Sequence, residues 1–172
     1  QEAIFGRAGL AIPRSTLGAW VGQCGARLEP VAQALKAELL RCQVLHADET
    51  PVAMLAPGKG KTQRAYLWAY AAACSEPIKA VVYDFTPGRS GEHARVFLGH
   101  DPERRERDQV PWTGHLVCDD FSGYKALFEL GVTEVGCMAH ARRKFVELQV
   151  ANKSSIAGTA LELFGQLYQV ER

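Results

Sequence analysis

The sequence predicts an α/β protein, a mixed five-stranded sheet flanked by helices, with a helical appendage at its N-terminal end. Three observations lead there. From Gln43 onward helical spacing gives way to β-branched, aromatic and alternating runs. Turn residues separate the first three of these runs closely, which favours antiparallel pairing. Helical stretches separate the later runs, which favours parallel pairing by crossover.

The elements follow in order. Residues 1–42 read as helical: Ile12-Pro13-Arg14-Ser15 breaks one helix, and Ser15 is placed to cap a second running through Trp20 and Val21. A third helix is expected with Pro30 in its first turn and Val31, Leu35 and Leu39 on one apolar stripe. Three strands are expected at 44–48, 65–73 and 79–85, separated by Pro57-Gly58-Lys59-Gly60-Lys61 and Ser75-Glu76-Pro77. Pro87-Gly88-Arg89-Ser90 ends the third strand, and Ser90 can cap a short helix over 92–98. A charged loop at 103–109 leads to a fourth strand at 115–118, a helix at 125–130 closed by Gly131, and a fifth strand at 134–137. A longer helix starts near Ala139, with Phe145 and Leu148 directed to the core. A last helix, from 154, aligns Ala157, Leu161, Phe164, Leu167 and Tyr168, with Ser154 or Ser155 as its cap.

A helical crossover between the third and fourth strands lets the fourth lie parallel to the first. That is the ribonuclease-H-like arrangement, and residues 43–172 are assigned to it. It brings Asp48, at the end of the first strand, beside Asp119, at the end of the fourth.

The bulk properties set limits. With 172 residues, 47% hydrophobic and 23% charged, the chain can bury one real core. No apolar run approaches the roughly 20 residues that span a bilayer, so a cytoplasmic protein without a membrane partner is expected. A net charge of +1 does not announce a nucleic-acid binder, and DNA contact must come from local patches. Five scattered cysteines without a close pair argue against a disulfide framework.

Two aspartates at neighbouring strand ends can jointly hold magnesium or manganese, because hard cations prefer carboxylate oxygens. Paired ions of this kind drive phosphodiester chemistry. The plainer reading is two solvated strand-end acids. Successive strand residues face opposite ways, so neither Asp120 nor Glu49 aims where Asp119 and Asp48 do.

Four ordered stretches sharpen the reading: Leu45-His46-Ala47-Asp48-Glu49-Thr50-Pro51, Gly60-Lys61-Thr62 on to Tyr66-Leu67-Trp68, the 119–124 segment, and Cys137-Met138-Ala139-His140-Ala141-Arg142-Arg143-Lys144-Phe145. Together they resemble the insertion-sequence-sixty-six transposases over nearly the whole chain. The resemblance implies DNA transposition, a metal-dependent cleavage and strand transfer at an Asp-Asp-Glu site that uses two magnesium or manganese ions in the complete enzyme. Its partners would be transposon-end and target DNA, with other transposase subunits or accessory proteins. The first two acids of that site fall on Asp48 and Asp119, both catalytic and metal-binding, and Asp120 stands where the family usually has glycine. The family's glutamate lies in an Asn-Asn-x-x-Glu-Arg motif that Glu171-Arg172 does not reproduce. A fragment inactive by itself is therefore expected, truncated before the third carboxylate and without the family's upstream zinc-binding and basic segments. A non-catalytic DNA-binding or partner-binding remnant and another ribonuclease-H-like nuclease remain alternatives.

Other residues divide between function and packing. His140, Arg142, Arg143 and Lys144 form the densest basic cluster, a solvated helix face by default but a phosphate-binding one beside the carboxylates. Cys118, Cys137 and His140 are rejected as a zinc set, because cysteines at strand ends among apolar residues are usually buried. His46 reads as packed in its strand, and Tyr66, Trp68 and Tyr70 as packing one sheet face. The helical start, with Ser15 to Val21 in the recognition position, matches the later part of a helix-turn-helix, although most helical hairpins are structural.

Overall fold

The computed structural model describes residues 1–104 and 110–170. Most of the charged 103–109 loop lies outside them, as does the Glu171-Arg172 pair. The chain forms two compact units, Gln1–Arg41 and Cys42–Arg172.

The first unit holds α1 (Glu2–Arg7) and α2 (Arg14–Leu39). Two expected helices are here one continuous helix of 26 residues, with Pro30 in its interior. Proline there leaves the carbonyl four residues back without its usual donor. The surrounding residues nonetheless keep the helical path, so a proline suited to a first turn did not mark one. Ser15 is not the cap either: the helix starts from Pro13, without a side-chain cap, and residues 15–21 lie in its opening turns.

The second unit carries β1 (Val44–Ala56), β2 (Lys61–Ala72), β3 (Val81–Thr86), α3 (Gly91–Phe97), β4 (His115–Cys118), a 3-10 turn (Ser122–Tyr124), α4 (Lys125–Glu129), β5 (Thr133–Gly136), α5 (Met138–Asn152) and α6 (Ser155–Val170). The five strands make one mixed sheet in the order β3-β2-β1-β4-β5. β1–β2 and β2–β3 are antiparallel, whereas β4 runs parallel to both β1 and β5. Ser90 caps α3 as expected, its hydroxyl accepting from Glu92 N at 3.2 Å.

Three strand ends differ from expectation by two residues or more, and β2 begins at Lys61 instead of 65 because it pairs with the lengthened β1. β1 continues past Asp48 through Pro51 to Ala56, because β4 pairs with it only as far as His46. Beyond that point β1 is an edge, where proline is tolerated. β3 starts at Val81, since Lys79 turns back and donates to the Cys74 and Glu76 carbonyls.

Strand alternation divides the sheet into two unlike faces. Leu45, Ala47 and Glu49 point to the buried face, and the register sets Tyr70 against Ala47 and Trp68 against Glu49. Tyr70 stacks on Phe97 of α3 with ring centroids 3.7 Å apart, and Trp68 Nε1 donates to Thr86 Oγ1 at 2.7 Å. Leu116 and Cys118 extend this core across β4. His46 lies on the opposite face and is exposed, not packed, because alternation puts it with Asp48 and away from the core. Tyr83 and Phe85 also stand exposed on that face. Helix α5 buries no residue: Phe145 meets Phe164 of α6, with ring centroids 5.8 Å apart, and Leu148 stays half-exposed. Leu167, expected on the packed stripe of α6, is likewise half-exposed.

This two-faced sheet predicts unequal mutational costs. Leu116→Ala, at a side chain 0% exposed, should lower unfolding free energy in urea by about 2–5 kcal/mol. Tyr83→Ala, at a side chain 64% exposed, should change it by roughly 0.5 kcal/mol or less. Equal losses would mean that both faces are buried.

Candidate active site

Asp48 and Asp119 owe their placement to the β1–β4 register. The paired residues are Val44 with His115, Leu45 with Leu116 and His46 with Val117. The pairing ends there, and Asp48 and Asp119 each follow two residues beyond it, Asp48 within β1 and Asp119 just after the end of β4. Both aspartates line one cleft of about 790 Å³, together with Glu49, Arg89 and residues of α5.

After β4 the chain turns sharply. Asp119 Oδ1 accepts a hydrogen bond from Phe121 N at 3.0 Å, an aspartate closing its own turn. The following 3-10 turn packs so closely on α3 that a Cβ on Gly91 would lie 2.1 Å from Gly123 O. Glycine is needed there for the contact.

A buried charge lies behind the aspartates. The Glu49 side chain is 1% exposed and pairs with Arg89, whose Nε donates to Glu49 Oε1 at 2.9 Å. Tyr124 supplies the second donor, its hydroxyl lying 2.7 Å from Glu49 Oε2. The Arg89 guanidinium stacks 3.9 Å above the Phe121 ring. Burial works against the Arg89 charge, but the Glu49 hydrogen bond and the charges of Glu49 and Asp119 outweigh it and raise its pKa. Burial first, then the Glu49 hydrogen bond, pushes the Tyr124 phenol well above the ordinary tyrosine range.

Six acids line the cleft, and most are already neutralised. Glu49 has Arg89. Lys125 takes both Asp120, at 2.8 Å, and Glu134, at 2.9 Å. Its hydrogen bond and charge hold the Asp120 carboxyl below the usual carboxylate range. Glu147 has Lys144, at 3.4 Å. Among the described residues, Asp48 and Asp119 have no lysine or arginine in ion-pair contact. Asp48 Oδ1 instead lies 3.8 Å from His140 Nε2, and His140 Nδ1 is buried without a hydrogen-bond partner among the described residues.

The basic cluster divides. His140, Arg143 and Lys144 line the cleft, whereas Arg142 is exposed outside it. Cys118 is buried, and desolvation, followed by the charges of Glu134 and Asp119, pushes its thiol up to about 12. Among the described residues no group of three or more His, Cys, Asp or Glu is arranged to hold a metal ion. Sequence reasoning missed Arg89 and Tyr124. The available signal was Glu49 itself, since alternation sends it to the buried face, where a carboxylate needs partners.

Comparison with known proteins adds a family and two relatives. Residues 1–172 match the family described as Transposase IS66 family. The chain is 33% identical over 186 residues to an uncharacterized protein, y4qI, of Sinorhizobium fredii, covering 99% of this chain and 32% of that protein. To a second uncharacterized protein of that organism, y4jD, it is 31% identical over 184 residues, covering 100% of this chain and 34% of the other. The chain thus spans about a third of the length of the curated relatives it matches.

The Tyr124–Glu49 contact predicts an alkaline limit to stability. The folded chain keeps the phenol proton, whereas the unfolded chain releases it near pH 10. The contribution is thus complete below about pH 10 and lost as pH rises above it. Tyr124→Phe should flatten the fall in Tm above that pH, leaving the part due to buried Tyr70, whose pKa burial also raises. An unchanged alkaline slope would show that Tyr124 ionises freely in the folded chain.

Proposed function

The chain belongs to the IS66 transposase family, and from that premise we propose that it forms part of a ribonuclease-H-like transposase core in which Asp48 and Asp119 hold a divalent metal against a DNA phosphodiester. One observation carries the reading. Of the acids in the cleft, Asp48 and Asp119 alone, among the described residues, lack a lysine or arginine in ion-pair contact, and Asp48 has only His140 beside it, at 3.8 Å. Carboxylates brought together in this way repel unless a cation joins them. The strand order β3-β2-β1-β4-β5, with β4 parallel to β1, supports the ribonuclease-H-like assignment.

The donor set suits magnesium or manganese. Two carboxylates offer only hard oxygen atoms, and the nearby Cys118 thiol is buried with its proton held up to about 12. Ions bound there would supply the Lewis acidity that activates an attacking hydroxyl or water and stabilises the leaving oxygen. The protein's own part is positioning. Asp119 is fixed by its turn to Phe121 N, and Asp48 is held in the β1 ladder opposite Ala69. Arg143 and Lys144, facing the cleft from α5, meet backbone phosphates, which basic side chains grip without reading sequence. Arg142 adds charge outside the cleft, and His140 borders Asp48 where a phosphodiester would enter. Transposon-end and target DNA are the substrates, and further transposase subunits or accessory proteins are the partners of the complete assembly.

Thermal melting tests the metal site. Millimolar manganese should raise the Tm of the native chain, because a ligand bound only by the folded state stabilises it. Asp119→Asn keeps size while deleting the anionic ligand, and should abolish most of the rise. Asp120→Asn, whose carboxylate is committed to Lys125, should leave it nearly intact. Equal behaviour of the two variants, or no manganese effect, would overturn the assignment.

A further inference from the structure

The β1–β2 hairpin is longer than the sheet that holds it. β3 pairs with β2 from Tyr66 to Ala71, and β4 pairs with β1 from Val44 to His46. The hairpin continues beyond both through five further rungs, from Val52–Ala65 to Ala56–Lys61, without a third strand among the described residues. At about 3.4 Å per residue this free ribbon extends roughly 17 Å. Its end is a turn in which Gly58 and Gly60 take positive φ, +80° and +62°. A two-stranded ribbon alone is marginal in water, and this one holds Leu55 79% exposed at its end.

Its charge is one-sided. Between Thr50 and Ser75 there is no acidic residue, although the whole chain carries 19 acids against 20 lysines and arginines. The bases in that stretch are Lys59, Lys61 and Arg64, all exposed and none in an ion pair among the described residues. We infer that the distal β1–β2 hairpin is a DNA-gripping arm, whose Lys59, Lys61 and Arg64 bind the phosphates of duplex DNA. The inference rests on the proposed function, because it takes the same duplex that the aspartate cleft would hold. A two-stranded ribbon is of a size that the major groove admits, and cations beside it meet the flanking phosphates. β1 runs unbroken from Asp48 to Ala56, eight residues or about 27 Å. A duplex lying along it is therefore gripped about eight base pairs from the aspartates, at roughly 3.4 Å per pair.

The test is binding of a labelled random-sequence duplex to the native chain, followed by fluorescence anisotropy across a range of salt concentrations. Each phosphate contact contributes about 0.9 to the slope of log affinity against log salt. The triple variant Lys59→Ala, Lys61→Ala, Arg64→Ala should therefore show a slope shallower by about 2.7, with Kd raised on the order of tenfold or more at low salt. The charge-conserving triple Lys59→Arg, Lys61→Arg, Arg64→Lys should bind as the native chain does. Manganese-induced stabilisation should be the same in all three proteins, so the arm and the aspartate site are read separately. Native affinity and slope in the alanine triple would overturn the arm and leave the aspartate reading untouched. Equal losses in both triples would also overturn it, since phosphate binding needs only the charge. Failure of the native chain to bind duplex at low salt would overturn the arm together with the DNA part of the proposed function. A change of oligomeric state confined to the alanine triple would assign the ribbon to a second copy of the chain instead.

Discussion

Glu49 carries a nearly fully buried carboxylate, and the groups that satisfy it, a guanidinium and a phenol, come from two distant parts of the chain. Arg89 stands in the turn before α3, and Tyr124 closes the 3-10 turn after β4. Each is also tied to the candidate site. Glu49 follows Asp48 on β1, and Arg89 stacks on Phe121, whose backbone N–H holds Asp119. One buried charge thus joins the two segments that carry the aspartates. Breaking a fully buried pair costs about 3–5 kcal/mol. Here the figure is lower, because the Arg89 side chain is 41% exposed and solvent screens it.

The same interaction separates acids that stabilise from acids that remain available. Glu49, one residue from Asp48, is committed to holding the sheet to the loop after β4. Asp120, one residue from Asp119, is committed to Lys125. Strand alternation makes the division at β1, and the turn after β4 makes it for Asp119 and Asp120. Two adjacent acidic dipeptides, Asp48-Glu49 and Asp119-Asp120, therefore each hold one paired carboxylate and one without a lysine or arginine partner among the described residues. A metal-dependent site needs that separation, since a carboxylate already bound to a basic side chain is a poorer ligand.

The sheet was legible because its signals are local. Alternation, short turns and an intervening helix specify the antiparallel β1–β2–β3 run and the parallel β1–β4 pair, and Asp48 and Asp119 line one cleft beyond that pair. Elements that departed from expectation did so where tertiary context overrode a local signal. The first strand reads as ending at 48, yet β1 passes on through Pro51 as an edge strand. Pro30 reads as a start, yet α2 runs through it. His46 reads as packed, yet it shares the open face with Asp48. The Arg89–Glu49 bond joins residues 40 positions apart and leaves no periodic trace. Only the demand of a buried carboxylate for partners pointed to it.

The central claim is that Asp48 and Asp119 converge on one metal position, and anomalous diffraction from crystals of the chain soaked in manganese tests it most directly. The account predicts a manganese peak in direct contact with carboxylate oxygens of both residues. A peak held by Asp120 and Glu134 instead, or Asp48 and Asp119 carboxylates more than about 10 Å apart, too far to share ions spaced as in two-metal sites, would contradict it.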